Sequence, residues 1–175
     1  KNNIQYEFGK HSKKCLDADL IVLSPGINMN NHIIFKKIND NKTPIVSEIE
    51  FASWFTKQPI IAITGSNGKS TVVKLLYEIF LKRYPNTLLG GNIGKSFSEN
   101  ILSEVKNSKK NIIHILEVSS FQLENIFTFS PKVSCILNIT SDHLDRYKNI
   151  NEYFNTKLKI TKNYTKDSYI VFDDK

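Results

Sequence analysis

The chain has 175 residues, 40% of them hydrophobic and 23% charged, a balance that excludes a disordered or fibrous polypeptide and allows a sizeable core. No stretch approaches the roughly 18 apolar residues of a membrane span, and KNNIQYEFGK at the amino end has no signal-peptide core. The net charge of +7 comes from scattered lysines, with Arg only at Arg83 and Arg146; that gives no stripe for nucleic acid and suits an anionic small substrate better.

Taken in chain order, strands and helices alternate. A short buried strand is expected at Leu20 to Leu23, ending in the turn Ser24-Pro25-Gly26. NNHIIFKKINDN predicts a helix with Ile33, Ile34 and Ile38 on one side. TPIVS predicts a strand and EIEFASWFTKQ a helix that stops before Pro59. PIIAIT reads as a central parallel strand. The helix after it should turn Val72, Leu76, Ile79 and Phe80 to the core. NTLLGG, NIIHILE, KVSCILNIT and DSYIVFDD predict further strands, with helices at FSENILSEVKNS and NINEYFNTKLKITKN. Cys15 and Cys135 lie far apart without a C-x-x-C motif, so two free thiols are expected.

This alternation implies an α/β protein with a mostly parallel sheet flanked by helices. In such sheets ligands bind beyond the carboxyl ends of the strands. Polar segments fall at four of those ends: Ser24-Pro25-Gly26, the glycine loop after Thr64, Glu117-Val118-Ser119-Ser120, and Asn138 through Asp145. A boundary is expected near residues 43 to 58. Residues 1–47 then form the tail of one Rossmann-like unit, and 48–175 a P-loop ATPase-like unit. The first unit is too short for a core of its own, and no initiator Met is present, so the chain is expected to be part of a longer one.

TGSNGKST lies between the apolar strand and the amphipathic helix. Gly65 and Gly68 permit tight backbone turns, Lys69 can reach β- and γ-phosphates, and Ser70 can hold Mg²⁺. Ser66, Asn67 and Thr71 complete the ATP-binding candidates. The common G-x-x-x-x-G-K-S/T pattern wants glycine where Ile63 stands. The competing reading is a plain strand-to-helix turn capped by Ser66 or Asn67.

The loop resembles that of the Mur ligase superfamily, whose shorter version opens on Thr-Gly, so Ile63 is in place. Gly90-Gly91-Asn92-Ile93-Gly94, the run Glu117 to Glu124 (EVSSFQLE), Asn138 to Tyr147 (NITSDHLDRY) and Glu152 to Ile160 resemble the branch that adds D-glutamate. Ser24 to Ile27 and Ser47 to Phe51 match it too. Ser141 and Tyr147 depart from the branch pattern at positions with no expected chemical role.

The resemblance implies an ATP-dependent ligase acting on UDP-N-acetylmuramoyl-L-alanine and D-glutamate through an acyl phosphate. It implies two Mg²⁺ ions, a cytoplasmic monomer, and no membrane or nucleic-acid partner. It further implies a missing carboxyl-terminal domain for the amino acid, and hence no activity in these 175 residues alone. Ser24, Gly26, Asn92, Ser119 and Gln122 match substrate-contacting positions. Other readings are a different Mur or folylpolyglutamate-type ligase, or a P-loop nucleotide-binding module without ligase chemistry.

Three further residues complete the expected catalytic set with Lys69. Glu117 ends a buried strand, where a carboxylate can face the phosphate loop and bind Mg²⁺; a solvated strand-end acid is the bland alternative. His143 matches a ligand of the second Mg²⁺ by resemblance alone, since hard cations prefer oxygen. Asp142 and Asp145 beside it could instead open a helix. On a helical wheel with Tyr153 at 0°, Lys157 falls at about 40°, inside an arc with Phe154, Leu158 and Ile160, whereas Lys159 falls at about 240° on the open side. A lysine pointed at a core should have a lowered pKa, unless it snorkels. The matching lysine of the family is carbamylated and helps to hold the second ion.

Overall fold

The computed structural model describes residues 4–9, 11–27, 35, 38, 42–107, 111–140 and 146–173. Among these residues seven strands fall into two sheets. β1 (Ile21–Leu23) and β2 (Ile45–Ser47) pair in parallel as a two-stranded sheet. β3 (Ile60–Thr64), β4 (Thr87–Gly91), β5 (Ile113–Glu117), β6 (Val133–Ile136) and β7 (Tyr169–Phe172) form a second sheet in the order β4-β5-β3-β6-β7. Every pairing in it is parallel, so all five carboxyl ends lie along one edge.

The helices are α1 (Glu48–Ser53), α2 (Lys69–Leu81), α3 (Phe97–Asn107), α4 (Ser120–Leu123) and α5 (Ile150–Leu158), with 3-10 turns at Lys13–Asp17 and Lys159–Thr161. The central strands of the large sheet are covered on both faces, as their β-branched apolar residues require, whereas the edge strand β7 is exposed. Ala62 of β3 and Leu116 of β5 face a core with Ile49, Phe97, Ile101, Leu123, Phe129 and Ile160. Ile63 and Ile115, the adjacent residues in each strand, face the opposite side and pack on Val73 of α2. A smaller cluster of Leu23, Phe35, Ile38 and Ile45 lies at the first sheet. Cys15 and Cys135 are both free thiols, as expected.

Several expectations need correction. Ile79 is 53% exposed and points away from the sheet; Val73 and Tyr77 take its place, because the buried stripe advances by three or four residues from 73 to 76, 77 and 80. α1 ends at Ser53, where the Trp54 N–H turns back onto the Phe51 and Ala52 carbonyls. The helix at 120–123 went unread, although Ser119-x-x-Gln122 forms a capping box whose signature was present in the sequence. The helix expected at 30–41 lies largely outside the described residues. Among the described residues no helix is long and apolar enough to cross a membrane.

Candidate functional site

The carboxyl edge of the large sheet brings the glycine loop, the end of β5, the turn after β4 and the segment after β6 together. The loop leaves β3 at Gly65, whose φ of 152° brings its α-carbon against the segment after β6. A β-carbon there would lie 3.1 Å from Leu137 Cβ and 3.3 Å from the Asn138 carbonyl oxygen. Gly68, at φ 81°, caps α2 with no side-chain hydrogen bond. The plain-turn alternative fails on this point: neither Ser66 nor Asn67 caps the helix. Ser66 Oγ accepts from the Thr140 N–H at 3.0 Å and donates to its carbonyl at 3.1 Å. Asn67 pairs with Asn138 in both directions, its N–H donating to Oδ1 at 2.8 Å and its carbonyl accepting from Nδ2 at 3.1 Å. Lys69 Nζ donates to the carbonyls of Gly65 and Ser66, both at 2.8 Å, while Thr71 is exposed in the first turn of α2.

Glu117 is 2% exposed. Ser70 Oγ donates to its Oε2 at 2.6 Å and Asn92 Nδ2 to its Oε1 at 2.8 Å; the Asn92 N–H also donates to the Glu117 carbonyl at 2.8 Å. The glycines before Asn92 make this approach possible. Gly91 has φ 98°, and a β-carbon on it would lie 2.2 Å from the Glu117 carbonyl oxygen. A carboxylate and a hydroxyl in contact at the start of α2 are hard oxygen donors of the kind Mg²⁺ takes. Among the described residues no three His, Cys, Asp or Glu side chains gather as a metal cluster. His143 lies outside the described residues.

Lys157 is 1% exposed. Its Nζ donates to the Gly65 carbonyl at 2.9 Å and, at 3.5 Å, to Thr64 Oγ1, and sits 4.6 Å above the Tyr153 ring. Two lysines, 69 and 157, therefore donate to one loop carbonyl. The wheel holds for Tyr153, Lys157 and the buried Ile160, but Phe154 is 43% exposed. Lys159 is half-buried and donates to the Glu124 carbonyl at 3.0 Å. Its long stem lies along the surface while the ammonium reaches that carbonyl, so a wheel position on the open side does not leave it free.

Beside Glu117 lies a cleft of about 400 Å³ lined by Ser24, Pro25, Glu48, Asn92 and Gln122, among others. Three of the five expected substrate residues thus meet across 98 residues of sequence. Gly26 and Ser119 do not line it. Gly26 lies in the turn closed by the Ile27 N–H and the Ser24 carbonyl. Ser119 caps α4, its Oγ accepting from the Gln122 N–H at 3.3 Å, while Gln122 Oε1 accepts from the Ser119 N–H at 3.0 Å.

Two groups went unread. Asn138 holds the glycine loop through the pair with Asn67. Tyr147 is not idle: its hydroxyl donates to Glu124 Oε1 at 2.8 Å, and burial, with that carboxylate, pushes its pKa up, so it remains a donor.

A family model for the Mur ligase middle domain matches residues 63–175, and one for the MurD N-terminal domain matches residues 1–33. Curated relatives include UDP-N-acetylmuramoylalanine--D-glutamate ligases from Geobacter sp. (strain M21), 44% identical over 173 residues, and Bacteroides fragilis (strain YCH46), 42% identical over 176. These matches cover 98% and 99% of this chain but 37% and 38% of the relatives, so the chain spans little more than a third of their length. Among solved structures, MurF from Acinetobacter baumannii superposes with a TM-score of 0.55 at 14% identity, covering 89% of this chain and 40% of that one. MurF ligase from Thermotoga maritima in complex with ADP gives 0.53 at 18%, covering 89% and 42%. Those two likenesses establish the fold alone.

Proposed function

This chain belongs to the Mur ligase family, and from that premise we propose that it is part of an ATP-dependent ligase joining D-glutamate to UDP-N-acetylmuramoyl-L-alanine in peptidoglycan precursor synthesis. Residues 1–47 would contribute the end of the UDP-substrate domain and 48–175 the ATP-binding core, in a cytoplasmic, monomeric enzyme. One observation carries the reading. Glu117 joins the phosphate loop, through Ser70, to the substrate cleft, through Asn92. A nucleotide phosphate and an anionic acceptor can then meet at one carboxylate.

In the first step an oxygen of the L-alanine carboxylate attacks the γ-phosphorus of ATP, and the bond to the ADP oxygen breaks, leaving an acyl phosphate. In the second the amine of D-glutamate attacks the acyl carbon, phosphate leaves, and the nitrogen loses a proton. The first N–H groups of α2 and the Lys69 side chain would receive the phosphates, Lys69 exchanging the Gly65 and Ser66 carbonyls for phosphate oxygens. The Asn92 side-chain amide, which donates to Glu117 Oε1 at the cleft, would orient the acceptor carboxylate. Ser70 and Glu117 would hold Mg²⁺, whose charge offsets that on the transferring phosphoryl oxygens. A second ion at His143 and Lys157 belongs to the same reading, as does carbamylation of Lys157, in which its amine adds to CO₂ and releases a proton.

The test is ADP release by the complete chain. It is expected to require UDP-N-acetylmuramoyl-L-alanine and to be sustained by D-glutamate. ATP turnover indifferent to both substrates would sink the reading.

A further inference from the structure

Arg146 does something that neither the phosphate loop nor the metal residues account for. Its side chain is 12% exposed. Nε and Nη2 fork onto Glu124, at 3.1 Å to Oε1 and 2.7 Å to Oε2. The remaining donors reach back more than a hundred residues: Nη1 to the Pro25 carbonyl at 3.1 Å, and Nη2, more weakly, to that of Ile27 at 3.5 Å. The guanidinium carbon lies 4.1 Å from the centre of the Phe121 ring. That ring stacks on Tyr147 with 20° between planes, and the Tyr147 hydroxyl donates to Glu124 as well.

We propose that Arg146 is a positioning residue for the UDP-substrate cleft: seated on Phe121 and Glu124, it holds the turn at residues 24–27 in register with α4. Its role follows from how its donors are spent. A guanidinium whose fork is taken by Glu124 and whose outer edge is taken by two backbone carbonyls has little left for substrate, so it acts through the turn. That turn supplies Ser24 and Pro25 to the cleft, and α4 supplies Gln122. The residues around Gln122 thereby gain a physical reason. Phe121 is the floor under the cation and Glu124 its anchor, so the run FQLE builds a seat for Arg146 on one side of the cleft. Lysine cannot replace it, because a point charge cannot fork a carboxylate and also span two carbonyls. The identity of the substrate rests on the proposed function; the brace itself does not.

The experiment uses the complete chain with Arg146→Gln, Arg146→Lys and Glu124→Gln. Arg146→Gln is expected to raise KM for UDP-N-acetylmuramoyl-L-alanine about 10- to 100-fold, the loss of charge-assisted hydrogen bonds, with KM for MgATP unchanged within about twofold. Arg146→Lys should recover little of the loss, and Glu124→Gln, which keeps shape and removes charge, should move the same KM by about a third to a half as much in log units. Amide hydrogen exchange at residues 24, 26 and 27, without substrate, should quicken in Arg146→Gln. An unchanged KM for the UDP substrate, or an equal rise in both KM values, overturns the proposal. If the wild-type enzyme ignores that substrate, the ligase reading has failed, and exchange then decides: faster exchange at the turn upholds the brace and unchanged exchange overturns it.

Discussion

Glu50 and Glu117 are both buried acids, 0% and 2% exposed, in surroundings that differ in kind. Glu50, in α1, accepts from five donors on three sides: Trp54 Nε1, the N–H groups of Phe127, Thr128 and Phe129, and Thr128 Oγ1 at 2.5 Å. Three of these are backbone and cannot move without moving the chain. Burial alone would raise its pKa, but Thr128, Phe127, Trp54 and Phe129 together outweigh it and hold the carboxyl below its usual value. Glu117 meets two donors, Ser70 Oγ and Asn92 Nδ2, and both are side chains that can rotate away. A saturated carboxylate staples α1 to the 127–129 loop. A carboxylate held, among the described residues, by two movable groups beside the glycine loop is free to trade them for a ligand.

The largest test of that contrast is Glu117→Gln in the complete chain. It should lower kcat/KM about 1,000-fold or more, as loss of a transition-state charge contact does, and leave the denaturation midpoint nearly in place. A variant that keeps most of its turnover would place Glu117 with Glu50 as a structural acid. Glu50→Gln should do the reverse. It puts an NH₂ against fixed N–H donors and costs about 3 kcal/mol of stability by urea unfolding, with turnover per folded molecule retained. Loss of turnover without loss of stability would erase the distinction.

The smallest effect is on acid stability. A folded-state pKa below the ordinary value near 4.5 means that the unfolded chain takes up the proton first as pH falls. Glu50 therefore stabilises fully above that ordinary value and loses its contribution as pH drops through the folded one. Urea midpoints measured from about pH 6 to pH 3 should fall more steeply for wild type than for Glu50→Gln. Parallel acid limbs would show that the five hydrogen bonds do not bias the ionised form.

Much of the site was legible in the sequence because it is local. The strand-loop-helix at 60–81 follows from an apolar β-branched run, two glycines and a helical stripe, each readable within a few residues. The parallel pairing and the two buried faces of the sheet follow from alternation, but the strand order β4-β5-β3-β6-β7 does not and was not read. Lys157 was found by helical phase, and Ile79 was misplaced by the same method because one residue of error turns a helix by 100°. Ser119 was assigned to substrate, but its oxygen is occupied as a helix cap.

What the sequence determined by itself was therefore the α/β class, the strand–glycine-loop–helix unit and the residue types at the strand ends. Only the tertiary structure decided which of those ends touch. The glycines of GGNIG are explained by the Glu117 carbonyl oxygen, 2.2 Å from where a Gly91 β-carbon would lie, and that atom is on another strand. Four of the five Glu50 donors lie 77 to 79 residues away, and Arg146 finds its carbonyls 119 to 121 residues away. Periodicity reports on neighbours within a turn or a strand. Contacts at such separations are fixed by how the layers pack, and only the folded chain carries that information.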